Sequence, residues 1–231
     1  MAILAPMRPE LKAVVKAGRL EKAAAESLFS HHGLVGQWSV SAGLIGIGPA
    51  AASTSTERML QEGPFDHVMV VGIAGGLDPE LTIGSLLVPS RVRLHPDGPE
   101  FLSRPLPPRT AVGGLMTTDG LFSDEAVWRP ILEAGFGAVD MEASAVAAAC
   151  EANGVSWSIY RGISDRPDEH IVDQAVFGLS KPDGSADMAA VAKYVARDPR
   201  RVKALAHLNR CMELAAAVAA EAAMADLVAA Q

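Results

Sequence analysis

Apolar residues fall along this chain in two rhythms. Short uninterrupted runs at residues 2–5, 38–45, 67–71, 85–88, 114–117, 138–140 and 156–163 have the length and composition of buried strands. Between them, residues 8–16, 50–61, 123–133 and 142–153 have helical character. The last of these runs into Asn153-Gly154, where glycine supplies the left-handed residue that stops a helix. Strands alternating with helices predict an α/β fold, a parallel or mixed sheet covered by helices, in a single domain over residues 1–231. No internal repeat is visible.

Two segments break the rhythm. Prolines 96, 99, 105, 107 and 108 crowd residues 94–109, which read as an irregular surface excursion rather than a linker, because the strands after it continue the same sheet. Residues 166–187 are rich in Pro, Asp and Gly and lead to C-terminal helices, with Asp198-Pro199 a helix start. The apolar stretch from Leu214 onward is built mostly of alanine and interrupted by Glu221 and Asp226, so it reads as a soluble helix with no membrane span, its low bulk suited to close packing against a helix or another subunit.

Charge and cysteine content narrow the function classes. Lys and Arg total 20 against 27 Asp and Glu, a net charge of −7, the wrong sign for a nucleic acid polymer as partner. Two cysteines, Cys150 and Cys211, exclude a disulfide scaffold and a cysteine zinc site, and a cytoplasmic, reducing location is expected. The opening residues are too short an apolar run, broken by Pro6, Arg8 and Glu10, for an export signal. Histidines 31, 32, 67, 95, 170 and 207 lack ligand spacing, so no metal and no cofactor is invoked; His170, after Asp165, is the one of interest.

Candidate chemistry sits where strands end. Residues 68–76 run from an apolar strand into Gly72-Ile73-Ala74-Gly75-Gly76, read as a small-residue turn where backbone N–H groups can approach a ligand. Its plainest reading is a tight turn, and it matches neither the dinucleotide nor the P-loop glycine spacing. Gly46-Ile47-Gly48-Pro49 offers the same two readings. In Val139-Asp140-Met141-Glu142-Ala143-Ser144 the carboxylates read first as helix caps, yet Glu142 could also accept two hydrogen bonds from a vicinal diol such as a ribose. Asp165, at the end of Arg161-Gly162-Ile163-Ser164-Asp165, reads as a turn residue or, in a dry pocket, as a proton donor. Glu10 alone is a first-turn helix carboxylate.

Taken in order, Met7-Arg8-Pro9-Glu10, the GIGP at residues 46–49, the GIAGGLDPELTIGSLLVP at 72–89, the DMEAS at 140–144 and the RGISD at 161–165 resemble the nucleoside phosphorylase superfamily. The resemblance is greatest to its methylthioadenosine/S-adenosylhomocysteine nucleosidase branch. It covers the chain up to Asp165 and implies a central mixed β-sheet flanked by helices, with a ribonucleoside pocket at one edge. By that similarity Met141 packs on the ribose and Glu142 grips its 2′- and 3′-hydroxyls. Asp165 protonates the purine, Glu10 orients the attacking water, and Leu121 and Phe122 hold the base. Ile73, Ala74, Gly75 and Ser164 join the substrate-binding set, and a homo-oligomer, most simply a dimer, is implied.

Hydrolysis rather than phosphorolysis is expected. The resembling nucleosidases tend to carry Ser where this chain has Ile73, and the bacterial phosphorylases carry a polar Arg-containing run that Val70-Val71-Gly72-Ile73 replaces here. Arg8 remains as a candidate anion ligand. The substrate expected is a 5′-substituted adenine ribonucleoside such as methylthioadenosine or S-adenosylhomocysteine. A purine nucleoside phosphorylase, a nucleosidase for an adenosylated lipid and a catalytically silent nucleoside-binding protein are the alternatives. The lipid alternative follows from residues 181–184 and Asp198-Pro199, which resemble the hopanoid-associated nucleosidases.

Overall fold

A computed structural model describes residues 1–24, 27–120, 124–167, 176, 178–179, 181, 185, 187–198 and 201–230. Its strands are β1 (Ala2–Ala5), β2 (Glu21–Lys22), β3 (His31–Val35), β4 (Trp38–Leu44), β5 (His67–Gly76), β6 (Leu86–Leu87), β7 (Arg91–Leu94), β8 (Glu100–Leu102), β9 (Gly114–Thr117), β10 (Phe136–Asp140) and β11 (Ser156–Asp165). Helices are α1 (Arg8–Gly18), α2 (Pro49–Leu60), α3 (Glu125–Glu133), α4 (Ala143–Ala152), α5 (Met188–Arg197) and α6 (Arg201–Ala229). The strands form one mixed sheet in the order β2-β3-β4-β1-β5-β10-β9-β7-β8, while β11 pairs with β5 and β6. This is the expected α/β fold with a central mixed sheet flanked by helices.

Strand β5 organises the sheet. It runs parallel to β1 and β11 and, at Gly75 and Gly76, antiparallel to β10. Side chains alternate across a strand, so Val68 and Val70 join one core with Ala52 and Met59 of α2 and Ala143, Val146, Ala147 and Cys150 of α4. Met69 and Val71 join the other, with Leu11 and Val14 of α1 and Ala219, Ala220, Ala223 and Leu227 of α6. Both faces are covered, which is why the central strands read as unbroken apolar runs.

Three features depart from the sequence expectation. Gly72–Gly76 is not a turn but the second half of β5, because Gly72 and Gly75 pair with Arg161 and Asp165 of β11. The excursion at residues 94–109 contains β8, which with β7 forms a hairpin on the sheet edge; alternation of Arg91 and Arg93 with Val92 hid β7, and both guanidinium groups lie over the Phe136 ring. The ribbon of β2 and β3 is largely exposed and too polar to show as an apolar run. Ser123, Pro199 and residues 182–184, where two helix starts and a turn were expected, lie outside the described residues.

The alanines of α6 serve the chain's own sheet. Ala215, Ala216, Ala219, Ala220 and Ala223 are buried, and the helix backbone comes so close to β11 that a Cβ on Gly162 would overlap the Ala215 carbonyl oxygen. Asp226 of the same helix is buried and accepts both Arg109 Nε and Nη2, at 2.7 and 2.9 Å, and the Tyr160 hydroxyl at 2.7 Å. Among the described residues no helix is long and apolar enough to cross a membrane.

Backbone cannot retreat as a flexible side chain can, so Gly162→Ala is expected to destabilise the fold by about 1–3 kcal/mol. A melting temperature within a degree of wild type would mean that α6 does not press on β11 as described.

Candidate active site

Arg161 occupies the position on β11 that follows Trp157 and Ile159 on one face of the sheet, and its side chain is 0% exposed. A guanidinium without access to water requires carboxylates, and three converge on it. Asp140, the last residue of β10, accepts Nε at 3.1 Å and also accepts Nη2. Glu142, which begins α4, accepts Nη2 at 3.3 Å. Glu10 of α1 places Oε1 3.9 Å from Nη1, a buried nitrogen that has no hydrogen-bond partner among the described residues.

Glycine makes the convergence possible. A Cβ on Gly72 would collide with both the Glu10 carboxylate and Arg161 Nη1, so the strand that lines the cluster must be bare there. Gly48 adopts φ 90°, a left-handed value that favours glycine, and its N–H donates to Glu142 Oε1 at 3.0 Å from the start of α2.

The cap reading of Glu10 accounts for only one of its oxygens. Oε2 accepts the Met7 N–H at 2.6 Å, as a capping box requires, while Oε1 crosses to accept the Ile73 N–H of β5 at 2.8 Å. Two backbone donors thus fix a carboxylate that is 2% exposed. Burial pushes its pKa up to about 7, with Arg161 and the two N–H groups opposing the rise. Burial raises Glu142 as well, again opposed by Arg161, and the nearby Asp140 charge adds to the rise.

Asp165 closes β11 after an irregularity: Ile163 pairs with Ala74 and Asp165 with Gly75, leaving Ser164 as an extra residue. Such a bulge re-aims the side chain that follows it. Asp165 Oδ2 lies against Gly75, Ser164 Oγ donates to Oδ1 at 2.5 Å, and burial raises the carboxyl's pKa.

Sequence order thus brings Glu10, Glu142 and the β5 segment Ile73-Ala74-Gly75 to one place, with Ser164 and Asp165 alongside Gly75. Met141, half-buried, sits between Asp140 and Glu142. Leu121, Phe122 and His170 lie outside the described residues. Arg8, the candidate anion ligand, is exposed. The hub Arg161 was not picked out as a site residue; its signal was present as a charged residue inside the apolar run Ile159-Tyr160-Arg161-Gly162-Ile163, which only a buried set of counter-charges can accommodate.

The family model described as phosphorylase superfamily matches residues 1–104 and 98–197. A 5′-methylthioadenosine/S-adenosylhomocysteine nucleosidase of Marinomonas sp. (strain MWYL1) is 30% identical over 151 residues, which span 52% of this chain and 65% of that relative's length. A nucleosidase of the same name from S. pneumoniae, solved with a transition-state inhibitor, superposes with a TM-score of 0.73 at 16% identity over 100% of this chain and 99% of that one. The futalosine hydrolase of Helicobacter pylori superposes with a TM-score of 0.69 at 19% identity, over 97% and 96% of the two chains.

The raised Glu10 carboxyl has a consequence for stability. Between its ordinary value and about 7 the folded protein holds a proton that the unfolded chain has released, so its contribution to stability is present at low pH and lost as pH rises through that window. Glu10→Gln is expected to flatten the decline in unfolding free energy between pH 5 and pH 8, read by urea denaturation. Parallel profiles for the two proteins would show that Glu10 titrates normally.

Proposed function

The chain belongs to the phosphorylase superfamily, and from that membership and its site we propose that it is a purine nucleosidase that hydrolyses the N-glycosidic bond of a 5′-substituted adenine ribonucleoside. The observation that carries this reading is the Glu10 carboxylate, held by two backbone N–H groups beside the partnerless Nη1 of Arg161. A water admitted beside Glu10 Oε1 and Arg161 Nη1, within reach of both, would satisfy the buried nitrogen and give the carboxylate a proton to accept.

In the reaction proposed, the bond between the anomeric carbon and the purine nitrogen breaks with its electron pair going to the base. Asp165 delivers a proton to the purine, and burial supports that role by favouring its protonated form. Water attacks the anomeric carbon and loses its proton to Glu10, giving free purine and free sugar. Glu142, anchored by Gly48 and Arg161, would hold the ribose hydroxyls, with Met141 beside it. Ile73, Ala74, Gly75 and Ser164 would line the sugar and base.

Water is favoured over phosphate by charge. Arg161 is already shared among three carboxylates, and a phosphate dianion at the anomeric carbon would meet an excess of negative charge in a poorly solvated place. The relative from Marinomonas and the S. pneumoniae neighbour carry the methylthioadenosine/S-adenosylhomocysteine name and support that substrate class. A cytoplasmic homo-oligomer, most simply a dimer, completes the reading, consistent with two buried thiols.

The test is purine release from methylthioadenosine, S-adenosylhomocysteine, adenosine and inosine, each with and without phosphate. Release indifferent to phosphate is expected; a strict phosphate requirement with sugar 1-phosphate as product would replace hydrolysis by phosphorolysis, and no release from any would overturn the reading. Asp165→Asn and Glu10→Gln are each expected to lower kcat by about 10²–10⁴-fold. Nucleoside binding should survive in both, so equal loss of binding and turnover in Asp165→Asn would remove its proton-donor role. The rate should also fall below about pH 7 as Glu10 takes up a proton.

A further inference from the structure

Asp140 has more partners than a helix cap needs. Its Oδ2 accepts the Ala143 N–H at 3.0 Å, which is the cap, and the same oxygen accepts both Nε and Nη2 of Arg161. Its Oδ1 accepts the Thr117 hydroxyl at 2.8 Å, and Thr117 Oγ1 in turn accepts the Ser144 N–H at 2.9 Å. The Asp140 main-chain oxygen accepts the Thr118 N–H at 2.8 Å. Strands β9, β10 and β11 and the start of α4 therefore all hold one carboxylate, which is 6% exposed. A side chain fixed from so many directions sets the geometry of whatever it grips.

What it grips is the inner edge of the guanidinium. With Nε and Nη2 taken up by Asp140, Nη1 is the nitrogen left toward Glu10. We infer that Asp140 is a positioning residue: it orients Arg161 so that Nη1 faces Glu10, and by absorbing most of the arginine's charge it leaves Glu10 basic enough to take a proton from water. This deepens the nucleosidase reading of the same site and rests on it for the word water, but the charge relation holds for any reaction there.

The electrostatics follow from a count of the groups that face the cluster. Glu10 comes from α1, Asp140 from β10, Glu142 from the start of α4 and Arg161 from β11, while β5 presents bare backbone at Gly72 and β9 a neutral hydroxyl at Thr117. Asp165, the next ionisable group along β11, lies against Gly75. Three carboxylates against one cation leave an excess of negative charge, and its repulsion is relieved by protonating a glutamate. Burial is the chief cause of the rise at Glu10 and Glu142, and the Asp140 charge adds to both. Removing its charge frees Arg161 to neutralise Glu10, so the Glu10 carboxyl becomes a weaker base.

The experiment compares wild type, Asp140→Asn and Asp140→Glu by ¹³C NMR titration of protein labelled at the glutamate carboxyl, with the Glu10 signal assigned by its loss in Glu10→Gln. Purine release is followed across the same pH range. In Asp140→Asn the Glu10 midpoint and the acidic limb of the rate profile are both expected to move down together, by some tenths of a unit up to about one unit. With Arg161 no longer held, kcat should fall about 10²-fold. Asp140→Glu, which keeps the charge but misplaces it, should restore the limb and midpoint without restoring kcat. A purely structural Asp140 would lower kcat or stability with no movement of either, and that result overturns the inference. The NMR midpoint is read without turnover, so a shifted midpoint in a protein that releases no purine would sink the nucleosidase reading and keep this one. Should Asp140→Asn not fold, a wild-type Glu10 midpoint in the ordinary range near about 4.3 would itself overturn the inference.

Discussion

A guanidinium withdrawn from bulk water is the constraint around which this molecule is built. Burying Arg161 within a sheet costs several kcal/mol unless opposite charge is brought to it, and that charge must come from elsewhere in the chain. Asp140 arrives from β10, Glu142 from the start of α4 and Glu10 from α1. The sheet must be thin where they meet, hence Gly72. The far side must be sealed, hence a helix of small residues pressed on Gly162, next along β11. Features that look unrelated in the sequence, a bare strand position, an alanine-rich helix and carboxylates at the starts of two helices, answer one electrostatic demand.

The same demand turns a structural arrangement into a chemical one. Carboxylates in excess over cations in a dry place cannot all be ionised near neutrality. An acid whose affinity for protons matches the surrounding pH can both take and return a proton, which an exposed glutamate cannot do efficiently. The cost falls on the fold, because a buried ionised carboxylate weakens it, and the site is supported by the apolar cores on both sheet faces.

Much of this was legible in the sequence, for physical reasons that can be named. Strands buried on both faces cannot hide, and Ala2–Ala5, Gly114–Thr117 and the core of β5 stand where the apolar runs are. Glu10, Glu142 and Asp165 were legible through ordered motifs resembling a family, since each alone reads as a cap or turn. Less legible were elements whose stability comes from pairing rather than burial, such as β3 with its two histidines and β7 with its two arginines. Gly72–Gly76 was misread because glycine in a strand and glycine in a turn look alike in one dimension. What decides between them is the approach of Glu10 and Arg161 from elements 62 residues before and 89 residues after Gly72. Arg161 itself was visible but unweighted, and Asp140 was credited only with its cap.

Distance along the chain also sets the order in which the site can come into being. The bonds from Ile73 to Glu10 and from Gly48 to Glu142 join residues 63 and 94 positions apart. Closing such loops is paid in entropy before any contact rewards it, and desolvating the arginine is tolerable only once all three carboxylates have arrived. No partly folded form can therefore hold a weaker version of the cluster. In kinetic terms the hub is a late and cooperative event, so the chain passes from having no charge cluster to having the complete one.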